Sequence, residues 1–479
     1  VASEMCIRDR YKQKRGGEIK LEQPFRFFVV TDTHYFENDL GASGEAYEKR
    51  SATDQKCIAE TGAIIDAGFS QLLEDHDTQT VLIPGDLIFN GEKESHRGFL
   101  KKLQRLQANG KKIYLITAKH DFNDAPVGYV GDHEVPVEGT AREELYALYY
   151  EFGFSTAISE HRRTLSYVAQ LADGVRLLAL NCDGDGEGFT GFDAEQMEWI
   201  LRQIADAKES GNFIFAMTHY PVLPGSPVME LIGDAKIDHW QKTADTLADA
   251  GLNLIFTGHM HMQSITKRVS QQGNPLYDIC TGSFVGCPCA YRKVTFLPDG
   301  NVQIQSETIR DFDWEKGGRT AQEYFKWRFD RMITDILDAM ADDFEFFMSR
   351  LGGAKPNQKL RLPVKLAGKL LQRLTLGGVG RLFFVHVDPS LRHVLLRDQA
   401  VELVRNIFVG NEPYVQGTPL YEAMDRLLCR LSPILHVVER KVGAGNPTLS
   451  DLHAFVLSLI GDENQIDDEA VLPIGWIKE

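Results

Sequence analysis

Residues 25–34 read Phe25-Arg26-Phe27-Phe28-Val29-Val30-Thr31-Asp32-Thr33-His34, an apolar run of strand length that stops on a carboxylate and an imidazole. Apolar residues at successive rather than alternate positions mark a strand buried on both faces, as in a sheet covered on both sides. Outward along the chain the pattern returns. Residues 81–84 lead into Gly85-Asp86, 113–117 precede His120-Asp121, 213–218 deliver His219, and 252–257 deliver Gly258-His259-Met260-His261. In open α/β sheets the carboxyl ends of strands border a crevice where ligands bind. His259 and His261 also occupy alternate positions of an extended segment, so their rings share one face, an arrangement suited to chelation. Taken singly, Asp32 and Asp86 read as turn residues, His34 as a surface histidine and His219 as a satisfied core histidine. Their joint occurrence at strand ends overrides those readings.

In this order the blocks resemble the signature of the calcineurin-like metallophosphoesterases: Asp-x-His, Gly-Asp, Gly-Asn-His-Asp/Glu, a lone His, and Gly-His-x-His. The resemblance spans residues 25–310, and the ordered set is far more specific than any one block. It implies an α/β fold, a four-layer αββα sandwich of two mixed sheets, and metal-dependent hydrolysis of a phosphate mono- or diester. It further implies two divalent metal ions, and a mixed carboxylate and imidazole set suits the Mn, Fe, Zn or Ni class over Ca or Mg. Carried over by position, Asp32, His34 and His261 hold one metal, and Asp86 bridges to a second held by His219 and His259. The attacking group implied is a metal-bridging hydroxide. His120 is the general acid, oriented by Asp121 through its other ring nitrogen.

Two departures from the family pattern carry information. Ala118-Lys119 stands where the family has Gly-Asn, whose asparagine is normally a ligand of the second metal. A protonated lysine offers no lone pair and cannot replace it. Three outcomes are open: Lys119 turns outward and water completes a weakened second site, Lys119 clamps phosphate in place of the second cation, or activity falls. The first is the reading adopted. The alternative is a catalytically weakened or inactive relative acting as a ligand-binding or interaction protein. Phe89 stands where purple acid phosphatases place an iron-ligating tyrosine, which argues against an iron-tyrosinate centre. Asn90, Asn123 and Tyr220 are candidate substrate-cleft residues, with Asp124 and His96 close by in sequence, and Ser95 reads as a helix cap.

Length and patterning frame the rest. The chain has 479 residues, more than one ordinary core accommodates, and a formal net charge of -16, which argues against a nucleic acid duplex as partner. A small phosphoester drawn in by metals is compatible with it. Strand-like and helix-like runs alternate to about residue 310, with helices expected at 54–74, 95–108, 193–208 and 239–250 and an antiparallel ending at 277–307. Beyond Trp314 the texture becomes helical, so a metallophosphoesterase domain over 25–310 and an all-α carboxyl-terminal domain over 311–479 are expected. There Gly352-Gly353, Gly377-Gly378 and Gly443 read as helix stops. Residues 1–10 back-translate onto a sequencing-adapter stretch and are set aside, with 11–24 as a lead-in. On that reading the natural amino terminus is missing and localisation stays open, free cysteines slightly favouring the cytoplasm.

Besides Cys6, the cysteines Cys57, Cys182, Cys280, Cys287, Cys289 and Cys429 match no disulfide or zinc framework and read as buried free thiols. Asp183-Gly184-Asp185-Gly186-Glu187-Gly188 reads as an acidic surface loop rather than a calcium loop. Over residues 355–397 basic residues greatly outnumber acidic ones. Leu366, Ala367, Leu370, Leu371 and Leu374 are expected on one helical face opposite Lys365, Lys369 and Arg373. That face is expected to pack on neighbouring helices, with contact to an anionic membrane as the other option. Oligomeric state is not legible.

Overall fold

The structure is a computed structural model that describes residues 21–183, 189–230, 232–350, 358–442, 450–461 and 467–475. The leader 1–10, the lead-in up to residue 20, Gly352-Gly353, Gly443 and residues 184–188 of the acidic loop lie outside the described residues. Strands β1 (Phe25–Val29), β2 (Thr80–Pro84) and β3 (Lys112–Ile116) run parallel, β13 (Ala290–Phe296) pairs antiparallel with β1, and β14 (Asn301–Thr308) pairs antiparallel with β13. A second sheet is built on β6 (Ala157–His161), β7 (Ser166–Ala172), β8 (Val175–Leu180), β9 (Phe213–Thr218), β10 (Leu254–Thr257), β11 (Ser264–Val269) and β12 (Pro275–Cys280), in the order β11-β12-β10-β9-β8-β7-β6. A small hairpin of β4 (Val127–Val130) and β5 (His133–Pro136) stands apart.

The two large sheets face each other through aromatic side chains. Phe27 of β1 stacks on Phe215 of β9 at 5.2 Å and meets Phe256 of β10 edge-on at 5.4 Å. Phe28, its neighbour, points to the other face of its sheet and packs on Tyr291 at 5.7 Å. That is why the run around Phe27 shows no polar alternation: both faces are covered. Helices α1 (Glu45–Ala52), α2 (Thr61–Glu74) and α3 (Lys93–Ala108) precede or cover the first sheet, and α4 (Leu145–Tyr149) comes after them. Helices α5 (Ala194–Glu209) and α6 (Trp240–Ala250) bury Trp199, Ile200, Leu247 and Ala248 against the second sheet. The result is two mixed sheets between helical layers, as the resemblance implies.

The carboxyl-terminal part carries α7 (Ala321–Asp342), α8 (Phe344–Ser349), α9 (Arg361–Arg373), α10 (Leu376–Leu382), α11 (Leu396–Val409), α12 (Pro419–Val442) and α13 (Leu452–Ser458). It is not wholly helical. Strand β15 (Glu469–Pro473) returns and pairs antiparallel with β14, completing a six-stranded sheet β15-β14-β13-β1-β2-β3. Arg292, fully buried on β13, anchors this return by donating to Asp467 O at 2.6 Å and Cys280 O at 2.8 Å. The helical part is tied down by Arg328 and Tyr324 of α7, which reach Glu60 at 2.5 and 2.6 Å.

Three local expectations differ from what is seen. The helix expected from residue 54 begins only at Thr61, because residues 56 and 57 are drawn out to pair with Gly286 and Val285. Gly377 and Gly378 stop nothing and lie inside α10, where the Thr375 hydroxyl caps the Gly378 N–H at 3.0 Å. A Cβ on Gly377 would sit 2.7 Å from Arg392 O, so close approach explains that glycine. Ser95 caps no helix. It lies within α3, fully buried, and its hydroxyl accepts from the Glu37 N–H at 3.1 Å.

Candidate metal centre

The parallel strands β1, β2, β9 and β10 end on one side of the molecule, and the residues after them close over the gap between the sheets. Backbone bonds hold these ends in register, including Asp32 N to Gly85 O at 3.3 Å and Gly258 N to His219 O at 2.9 Å. Two groups of metal-competent side chains result. Asp32, His34 and His261 offer ligand atoms within 4.8 Å of one another, and so do Asp86, His219 and His259. These are the two sets the sequence pairs off.

Backbone strain marks the same residues. Asp32 (φ 52°), His34 (37°), Asp86 (51°), His259 (67°) and His261 (55°) all sit in the left-handed region. Each such conformation costs roughly 1–3 kcal/mol in a non-glycine residue. Five together approach the net stability of a whole domain, so only a strong compensating demand on side-chain direction sustains them. The glycines beside them are required by space. A Cβ on Gly258 would lie 2.4 Å from Asp32 Oδ2, and one on Gly85 would lie 3.0 Å from His219 Nδ1.

Hydrogen bonds settle which ring nitrogen faces inward. His219 Nδ1 lies 2.9 Å from Pro84 O and His259 Nε2 lies 2.6 Å from Asp234 O. A carbonyl only accepts, so each of those nitrogens carries hydrogen and the other ring nitrogen is left with the lone pair. His261 Nδ1 likewise donates to Gln55 Oε1 at 2.9 Å. The freed His261 Nε2 stands 3.0 Å from His34 Nε2 and 3.3 Å from Asp32 Oδ1. His219 Nε2 stands 3.2 Å from Asp86 Oδ2, and His34 Nε2 lies 3.6 Å from the same oxygen. Thus Asp86 Oδ2 faces one imidazole from each set.

Acceptors pointed at acceptors in a dry pocket need a proton or a cation between them. Without metal the proton serves: burial pushes His219 down, but the Asp86 carboxylate outweighs it and holds the ring up at about 9. Burial alone would raise Asp86, yet His219 and His120 keep it well below the usual carboxylate range. Asp32 behaves likewise, burial being outweighed by His261 and His34. Burial, helped by the Lys56 charge, drives His34 well below its ordinary value, and burial with His219 brings His259 to about 4. The lowered rings of His34 and His259 beside the ionised carboxylates of Asp32 and Asp86, with His219 giving up its proton to a cation, make a donor set that a divalent ion of the borderline class takes, and the residues fit it.

The sequence profile of the calcineurin-like phosphoesterases matches residues 25–263, from the first strand through the last paired histidine. The chain belongs to that family. Membership makes it a metal-dependent phosphoric ester hydrolase. No curated protein matches its sequence. Among solved structures, a dimetal phosphatase from Danio rerio aligns at 14% identity and TM-score 0.45, over 60% of this chain and 97% of its own. The purple acid phosphatase PPD1 of yellow lupin aligns at 13% identity and TM-score 0.40, over 62% and 53%. The NAD nucleotidase of Haemophilus influenzae aligns at 12% identity and TM-score 0.32, over 74% and 62%.

Around the metallophosphoesterase centre some sequence expectations hold no longer. Asp121 does not orient His120. Its carboxylate is fully buried and accepts from the N–H groups of Leu87 (2.7 Å), Ile88 (3.1 Å) and Ala118 (2.7 Å), which makes it a brace for the two loops. His120 is held instead by Phe89, whose carbonyl accepts from Nδ1 at 2.7 Å, while its own N–H donates to Asp86 Oδ1 at 3.2 Å. His96 lines no cleft: it is fully buried between Tyr149 Oη at 2.6 Å and Asp121 O at 2.8 Å. Asn123 Oδ1 accepts from Ala125 N at 2.9 Å and the Asn90 backbone N–H donates to Glu92 at 3.0 Å, bonds that shape the loop beside His120 and leave the Asn90 side chain uncommitted by them. Tyr220 is buried with its ring 3.8 Å from that of His259, a support for the ligand.

The Lys119 ammonium is engaged by groups outside the two sets. It lies 3.2 Å from Asp234 Oδ1, 3.3 Å from Thr190 Oγ1 and 5.0 Å over the Tyr220 ring. Phe89 is buried, with the Lys56 ammonium 5.1 Å above its ring. Lys56, 7% exposed, is a residue the sequence reading missed, as is Gln55. Neither belongs to a motif, and only the extended segment pairing with Gly286 carries them to the centre. Burial and the Lys56 charge together push His120 down to about 4. Asp183 departs from a surface loop: it is buried, paired with Arg142 at 3.3 Å, and raised by burial to about 6. Cys57, Cys182, Cys280, Cys287 and Cys289 are buried free thiols, whereas Cys429 is exposed.

Proposed function

We propose that this phosphoesterase hydrolyses a small phosphate mono- or diester, with Asp32, His34 and His261 holding one divalent ion and Asp86, His219 and His259 the second, Asp86 shared between them. Bound in such a site, divalent ions act as Lewis acids that neutralise phosphoryl oxygens and make water a competent nucleophile. The chain's own groups do the rest. His120, its Nδ1 engaged by the Phe89 carbonyl, has only Nε2 to present; burial and Lys56 hold the ring down at about 4, so the negative charge of the bound phosphoester is what lets Nε2 take up a proton and pass it to the departing oxygen. The Asp86 carboxylate fixes the His120 backbone as well as facing both histidine sets, so acid and ligands are positioned by one group. Lys56 adds a fixed positive charge beside His120, suited to an anionic substrate.

The observation that carries the proposal is the convergence of lone pairs from both sets on Asp86 Oδ2. Lys119 supplies nothing to the second ion, and with its ammonium engaged by Asp234, water completes that shell. We read this as a weaker second site rather than a silent enzyme. The test is hydrolysis of an aryl phosphate and a bis-aryl phosphate after chelation and refilling with Mn, Fe, Zn or Ni. Turnover restored by at least one of these ions supports the reading; no turnover with any of them on either ester sinks it.

A further inference from the structure

Helix α9 packs on α7 through a notch at Gly368, where a Cβ would lie 2.6 Å from Ala341 N. The leucines on the other side of α9 are not hidden against neighbouring helices, as the apolar stripe predicts, but shown to solvent. Leu362, Leu366 and Leu370 are 67%, 54% and 54% exposed. At about 100° per residue they span roughly 80° of the helix surface, and Lys365, Lys369 and Arg373 fall on or beside the same arc, not opposite it. All three cations are exposed. Just beyond, Leu382 is 65% exposed and Phe384 is 89% exposed. Phe384 also holds a φ of 56°, a conformation a bulky residue rarely adopts, to present its ring to solvent.

Single exposed leucines need no explanation, but an aligned set with a protruding phenylalanine does. Charge says what covers it. Between residues 355 and 397 the only carboxylate is Asp388, in a protein of formal net charge -16. Among the described residues no carboxylate pairs with Lys365, Lys369, Arg373 or Arg381, while Arg361 does pair with Glu345 at 3.5 Å. The interleaving matters as much as the sign. Lysine is depleted from the apolar centre of protein interfaces. At a membrane surface, leucine and phenylalanine enter the acyl boundary while lysine and arginine stems lie along it with their charges among the headgroups.

We propose that the exposed face of α9, with Leu382 and Phe384, docks the protein onto an anionic lipid surface. The full-length protein is sedimented with vesicles of phosphatidylcholine and with vesicles that also contain phosphatidylglycerol. Binding is expected to the anionic vesicles, weakening as salt is raised. The double variant Leu366→Ser/Leu370→Ser should lower the partition by at least tenfold. The variant Lys365→Gln/Lys369→Gln should lower it by on the order of 20-fold, about fivefold per cation. Since these residues are exposed and far in sequence from the centre, both variants should keep the wild-type circular dichroism and hydrolysis of a soluble ester. Failure to bind anionic vesicles, or binding that both variants leave unchanged, overturns the proposal. So does a wild-type dimer in sedimentation velocity that the leucine variant dissociates, which would mean that a second copy covers this face.

Discussion

The two halves of the centre have the same ligand chemistry and different surroundings. In the first, Asp32, His34 and His261 are all buried; Gln55 engages the outer nitrogen of His261, and Thr31 and the His259 N–H engage the Asp32 carboxylate. In the second, Asp86 and His219 are as deeply buried, but His259 is only partly so and leans on the carbonyl of Asp234, the residue whose side chain holds Lys119. One half is closed by interior side chains, the other by a rim that water reaches. Outer partners fix ring orientation and basicity, so unequal surroundings give unequal metal affinity from equal ligands.

Asp86→Ala should break the comparison outright, because its carboxylate faces both halves. Both ions should be lost in elemental analysis, with no measurable turnover. A variant still holding two ions would contradict the bridging role. His120→Ala belongs to neither half. It should reduce turnover by about 10²–10⁴-fold with metal content unchanged. Gln55→Ala acts on the first half alone and should weaken one ion's affinity by about 10–100-fold in a metal titration, leaving the other's constant in place. If both constants move together, the halves are not separable in the way the geometry indicates. Lys119→Asn acts on the second half and should raise its occupancy and turnover a few-fold. Equal metal content before and after substitution would count against it.

The smallest effect is on stability. Asp278 accepts from the Val222 and Leu223 N–H groups at 2.7 and 2.8 Å and from the Thr257 hydroxyl at 2.6 Å, bracing the strand end that delivers His259 and His261. Burial nonetheless raises its carboxyl to about 6. The folded state therefore binds more protons than the unfolded state between about pH 4 and pH 6. Stability falls as pH rises through that window and is level above it. Asp278→Asn removes the charge and keeps the oxygen that accepts from Val222 and Leu223, while the Thr257 hydroxyl must turn to accept from the new amide, so it should flatten this slope and gain on the order of 1–3 kcal/mol above pH 6 in urea denaturation. An unchanged slope would show that the three donors, not burial, decide its ionisation.

How far the sequence could be read depends on the range of the interaction concerned. The runs ending at Asp32, Asp86, His219 and His259 announced buried strands with functional ends, because strand burial is written into consecutive apolar residues. The helix at 361–373 was equally visible from its period, yet which side it hides was not. The notch at Gly368 and the approach of Met340 select that side, and neither is a property of the α9 sequence. Asp121 misled for a similar reason. Adjacency to His120 suggested a partnership, but three backbone donors from two loops claimed its carboxylate first, and the carbonyl of Phe89, 31 residues away, took the ring.

By itself the sequence determined the alternation of layers, the candidate ligand and acid residues at the strand ends and the anomaly at Lys119, since each is a matter of residue type at the end of a locally encoded element. Tertiary structure alone decided which ring nitrogens of His219, His259 and His261 turn inward, that the Lys119 ammonium meets Asp234, and that Lys56 and Gln55 come to lie beside the two sets. The physical reason is that a hydrogen bond or ion pair is chosen by whichever partner arrives in space. His219 finds Pro84 across 135 residues and the His259 N–H finds Asp32 across 227, contacts that exist only once the two sheets have closed on each other.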